Sequence, residues 1–131
     1  MGLVSFITAV DTKLKALGGR VFYGDQINPN TPIPYISWKY TASNPLETIE
    51  DFFIEVSFTD AGTDATRIET AVDAVDGDGD QTNPTGLNYY DYGGGSSPSF
   101  RMYRMNRGSV PAVNENLLRR ELRYQVRVYN L

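Results

Sequence analysis

"DFFIEVSFTDAGTDATRIETAVDAV", residues 51–75, contains two hydrophobic periods in one run. Over 51–60 every second residue is apolar, with Phe52, Ile54, Val56 and Phe58 on one side, as a strand with one buried face requires. Past the short turn after Asp60 the period lengthens. Ile68, Ala71, Val72 and Val75 recur at three- and four-residue intervals and form an apolar stripe on a helix. Thr63 or Asp64 stands where a side-chain oxygen can accept from the free N–H groups of that helix's first turn. A strand leading at once into a one-sided helix points to an α+β arrangement, with the helix laid on the sheet.

The flanks extend this pattern. Leu3, Phe6, Ile7, Val10, Leu14 and Leu17 predict a first helix, with Asp11, Lys13 and Lys15 on its other face and Gly18-Gly19 ending it. A short extended piece, "RVFYG", precedes the proline-rich "DQINPNTPIPY", which suits neither a helix nor a central strand. "YISWKYTA" (35–42) alternates, and the turn-forming "SNPLETIE" joins it to 51–60 as a hairpin. "FRMYRMN" (100–106) and "LRRELRYQVRVYN" (118–130) read as two further strands, the last with Leu122, Tyr124, Val126 and Val128 facing the core. The fold expected is α+β: two helices packed on one face of a mainly antiparallel sheet of four to five strands. Residues 1–131 form a single domain in this reading, with a flexible loop at about 76–99.

Composition narrows the chemistry. The chain has 131 residues, enough for one domain with a real core, and 40% of them are hydrophobic. It contains no cysteine and no histidine, which removes disulfides, thiolate metal sites and Ser-His-Asp or Cys-His catalysis. Glu47, Glu50, Asp51 and Glu55 resemble the raw material of a two-carboxylate hydrolase. Nothing in the sequence sets their acidities apart, as such a pair needs. The expectation is a non-enzyme with no cofactor. No apolar run approaches a bilayer span, and "MGLVSF" carries neither a signal-peptide n-region nor a well-placed myristoylation serine.

Two features ask for a partner. Residues 76–80, "DGDGD", place Asp76, Asp78 and Asp80 at alternate positions, as in a calcium loop. The sharp-turn glycine of such a loop is here Gln81, and its closing glutamate is Leu87. No metal is expected, and the three aspartates remain only weak candidates. The second feature is a charge split. Residues 1–100 hold five Lys+Arg against fourteen Asp+Glu (−9), while 101–131 hold seven Arg against two Glu (+5), giving the net −4. Pairing within one subunit explains this, and so does a subunit whose acidic and basic sides pack head to tail on copies of itself.

The arginines interleave with tyrosines, as in some single-strand binders, but the chain is acidic overall. Protein contact therefore fits better, since arginine and tyrosine concentrate at interfaces. The candidate interface residues are Leu87, Tyr89, Tyr90 and Tyr92 in the glycine-rich loop, with Arg101, Arg104, Arg119, Arg123 and Arg127.

Three stretches carry a resemblance that spans nearly the whole chain. One is the opening helix running into "ALGGRVFYGDQINPNTPIPYISW" (16–38); another is "IEDFFIEVSFTDAGTDATRIETAVDAV" (49–75); the third is the closing "LLRRELRYQVRVYNL" (117–131). Together they resemble the tail-completion, or tail-terminator, proteins of long-tailed bacteriophages and gene transfer particles. The 76–99 region departs from that pattern in being longer, more acidic and more aromatic. The resemblance implies a virion protein assembled in the host cytoplasm. Its place would be a ring, commonly of six subunits, at the head-proximal end of the tail tube. Its partners would be copies of itself, the tail-tube protein and the head connector, with DNA passing the lumen unbound and no membrane involved. Other readings are a tail-tube or connector subunit, or a small ion-dependent binding module using the three aspartates.

Overall fold

The computed structural model describes residues 3–18, 20–24, 30–45, 49–62, 64–93, 99–110 and 116–129. In chain order the elements are α1 (Leu3–Leu17), β1 (Val21–Tyr23), β2 (Tyr35–Pro45), β3 (Ile49–Ala61), α2 (Thr66–Asp76), β4 (Asp91–Tyr92), β5 (Ser99–Ser109) and β6 (Leu117–Tyr129). The strands lie in the order β1-β2-β3-β6-β5-β4. Their one parallel pair is β1 with β2, and every other neighbour is antiparallel.

This corrects the expected architecture. The sheet has six strands rather than four to five, it is mixed, and it curls into a half-barrel. It outweighs the helices, which cover fifteen and eleven residues against four strands of eleven to thirteen. The two additional strands are edge pieces of three and two residues, too short for an alternating pattern to be counted. β4 sits within the stretch read as loop. β1 runs parallel to β2, a relation that a short "VFY" does not disclose.

The core follows from the periods. Phe6, Val10 and Leu14 of α1 and Ile68, Val72 and Val75 of α2 are buried with the inward residues of the four long strands. Phe6 stacks on Phe52 with ring centroids 4.6 Å apart and meets Phe100 edge-on at 5.3 Å. Trp38, also buried, donates its indole N–H to Asp11 of α1 at 2.9 Å, so the one tryptophan is satisfied as it packs. At the end of α1, a Cβ on Gly18 would lie 2.7 Å from the Ile36 side chain. The glycine there permits β2 to approach. The N-cap of α2 is Ala65, which has no side-chain cap, so Asp64 does not take the expected capping place. It accepts from the Thr66 N–H at 2.9 Å and from its hydroxyl at 2.7 Å, and Thr63 lies outside the described residues. Among the described residues no helix is long and apolar enough to cross a membrane.

Candidate functional site

The seven C-terminal arginines divide between the two faces of the sheet. Glu69, Asp73 and Asp76 stand at i, i+4 and i+7 on α2 and so form one acidic stripe along it. Opposite that stripe lie Arg104 and Arg107 of β5 and Arg120 of β6. Arg107 bridges Glu69 at 2.9 Å and Asp73 at 2.7 Å, and Arg120 pairs with Glu69 as well. Arg104 reaches Asp76 at 2.6 Å, and the buried Tyr124 donates its hydroxyl to the other oxygen of Asp76 at 2.7 Å. Pairing with α2 therefore accounts for three of the seven arginines.

A bulge makes this possible. Arg104 pairs with Tyr124 and Asn106 with Arg123, leaving Met105 as the additional residue. Simple alternation from Met102 would turn Arg104 and Asn106 inward; the bulge substitutes Arg107, aiming it at α2.

These contacts shift the acidities. Hydrogen bonds from Arg120, and next from Arg107, hold Glu69 below its usual range. Burial first, then the charge of Asp76, pushes the Tyr124 phenol far up, so it stays a donor at any ordinary pH. Asp60 is held low mainly by its hydrogen bond from Arg67. Because Glu69 and Asp60 are depressed in the fold, their contribution is present above the unfolded values of 4.5 and 3.8 and fades as pH falls below them. Unfolding by urea is therefore expected to become easier from pH 5 to pH 3, with a Glu69→Gln variant losing less over that window than the parent. An identical pH slope in the two proteins would contradict the assignment.

The opposite face of the sheet is uncovered by either helix. Register lays its residues in rows across β3, β6 and β5: Asp51, Arg127 and Arg101 in one, Phe53, Gln125 and Tyr103 in the next. Arg127 bridges Asp51 at 3.0 Å, and Arg123 lies 3.6 Å from Glu55 and 3.4 Å from Glu121. Lys39 adds a looser contact to Glu55 at 3.9 Å. Burial first, then a hydrogen bond with Glu55, raises the Glu121 carboxyl. Between these charges three large apolar side chains stay in water: Phe53 at 38%, Tyr103 at 44% and Met105 at 57% exposure. Phe53 and Met105 together line one shallow depression with Thr41 and Arg123.

The candidate residues fall in four places. Arg101, Arg119, Arg123 and Arg127 belong to the uncovered face, whereas Arg104 is turned to Asp76. Leu87 is fully buried in the core, where no partner reaches it. Tyr92 stacks on Phe100 at 4.9 Å, Tyr90 meets the same ring edge-on with Lys13 above it, and Tyr89 contacts Tyr103 edge-on at 6.0 Å. Residues 87–92 are thus laid against the domain, while 78–83 stay exposed.

Asp76, Asp78 and Asp80 do not converge. Asp76 is buried on Arg104 and Tyr124, Asp78 accepts from the Asp80 N–H, and Asp80 accepts from the N–H groups of Thr82 and Asn83. Among the described residues no group of three or more His, Cys, Asp or Glu side chains could hold a metal ion. Asp51 and Glu55, from the hydrolase reading, are engaged with arginines. Glu47 lies outside the described residues, as does the side chain of Glu50.

Sequence reasoning passed over Phe53 and Met105. Phe53 was legible: it is a large aromatic at a polar phase of β3, between Asp51 and Glu55. Met105 was not, because its exposure depends on the bulge. A scan of protein-family models gives no match to this chain. A search of curated proteins gives none either.

Proposed function

We propose that this chain is a structural ring subunit of a virion, set at the head-proximal end of a phage tail tube. There it stops tube polymerisation and joins the tail to the head connector. The observation that carries the reading is the helix-free sheet face, on which, among the described residues, Phe53, Tyr103 and Met105 stand exposed among paired charges. An apolar centre within a polar, arginine-bearing surround is the composition of a protein interface. The helix-covered side differs from this face, so a copy docking one face on the other side of its neighbour makes a heterologous contact, which closes into a ring when the rotation permits. The resemblance of 16–38, 49–75 and 117–131 to tail terminators supplies the place in the particle, and with it the tail-tube and connector partners.

The test is a double substitution, Phe53→Thr with Tyr103→Thr, which keeps β propensity while removing both rings. Sedimentation is expected to shift from an assembled species to monomer, with unfolding free energy changed by about 1 kcal/mol or less. Undiminished assembly in the double variant would overturn the assignment of this face.

A further inference from the structure

On the helix-covered side, away from the exposed sheet face, a cavity of about 110 Å³ opens between α2 and the adjoining ends of β2 and β3. Its walls are Pro34, Ile36, Phe58, Ile68 and Ala71, and its rim carries Arg20, Arg67 and Asp60. The space is a little below the ~150 Å³ that accepts a benzene-sized group and far below the ~300 Å³ at which small-molecule sites begin. One aliphatic side chain fits it; a cofactor does not.

The rim decides the charge of the occupant. Asp60 is 2% exposed and committed to Arg67, accepting from the Arg67 Nε at 2.7 Å. That pair is neutral. Arg20 has no carboxylate partner among the described residues; its guanidinium donates to the Pro32 carbonyl at 2.7 Å and sits exposed. The lining is therefore one positive charge in excess around an apolar hole.

We infer that this cavity is a docking pocket for a branched aliphatic side chain lying beside a carboxylate on a partner protein. The aliphatic group enters against Ile36, Phe58 and Ile68, and the carboxylate stays at the rim within reach of Arg20. Such a contact fixes orientation more than it supplies affinity, because the ion pair is solvent-facing. It is independent of the sheet face and stands or falls separately from the ring reading.

Capped dipeptides test it, acetyl-Leu-Glu-amide against acetyl-Leu-Lys-amide, titrated into the parent protein and in parallel into the Phe53→Thr/Tyr103→Thr variant, so that the result does not depend on assembly. Saturable shifts are expected at the backbone amides of Gly18, Ile36, Ile68 and Ala71. The Glu peptide should bind about five-fold more tightly than the Lys peptide, a difference set by one rim charge. Arg20→Glu should reverse that preference, and Ala71→Leu, which fills the hole, should abolish the shifts. If Ala71→Leu fails to fold, the Arg20→Glu comparison decides alone. Equal binding of the two peptides, or no saturable shift, would overturn the proposal. So would free isovalerate binding more than about ten-fold tighter than the Glu peptide, which would make this a site for a small acid.

Discussion

Asp76→Ala is expected to lower the unfolding free energy by about 3 kcal/mol in urea titrations, while Asp78→Asn changes it by less than about 0.5 kcal/mol. The two residues are two positions apart in one acidic run and are read alike from sequence. In the fold they differ entirely. Asp76 is 3% exposed and anchors both the Tyr124 hydroxyl and the Arg104 guanidinium. Removing it strands a fully buried hydroxyl, which costs about 1–3 kcal/mol, and takes away the only carboxylate paired with Arg104 among the described residues. Arg104 is 39% exposed on its side chain and can turn to water, so the loss stays below that of a fully buried ion pair. Asp78 is exposed and accepts one backbone N–H. Asp76→Asn serves as the control: an amide oxygen can still accept from Tyr124, and a loss of about 1 kcal/mol is expected. If Asp76→Ala unfolded within 0.5 kcal/mol of the parent, the anchoring role would be wrong.

Gly77→Ala should be as damaging, by about 3 kcal/mol, for a backbone reason. Gly77 ends α2 at φ 90°, a conformation side chains rarely adopt, and an added Cβ would lie 2.4 Å from the backbone nitrogen of Gly86. The two glycines touch because the chain doubles back here: the Leu87 N–H donates to the Val75 carbonyl at 2.7 Å and the Asn88 N–H to that of Asp76 at 3.1 Å. Those bonds seat Leu87 in the core. Pushing the end of α2 and the 86–88 segment apart by an ångström or more unseats it, and losing the burial of one leucine accounts for about 2 kcal/mol of the total. Gly79→Ala provides the contrast. It shares a positive φ but has nothing within 4 Å, so only the conformational part, about 1 kcal/mol, should appear. Equal losses at the two glycines would mean that the close approach contributes nothing.

Where a period runs long enough, the sequence is readable. Phe6, Val10 and Leu14 mark α1, the alternation at 52–58 marks β3, and the change of period after Asp60 places α2. Edge strands of two and three residues offer no period. The bulge at Met105 breaks the one in β5, so counting from Phe100 sorts Arg101 and Arg104 but turns Arg107 the wrong way. Arg120 could have been sorted, since it shares the phase of Leu122 and Tyr124. Asp76 and Leu87 were read as surface because their burial depends on Gly77 meeting Gly86 across nine positions, a contact without local signature. Net charge left two readings open, and pairing within the subunit is the one these contacts bear out. Much of the −9/+5 split closes on itself between α2 and the β5–β6 hairpin, and what remains outward is a mixed surface with an aromatic centre.

That surface is the basis of the ring proposal. The most direct test is electron microscopy of the purified protein at high concentration, alone and mixed with tail tubes of a long-tailed phage. Closed rings in solution, or rings seated on one end of the tubes, are the predicted result, and both should vanish with Phe53→Thr/Tyr103→Thr. Monomers in both samples, with tube ends left bare, would contradict it.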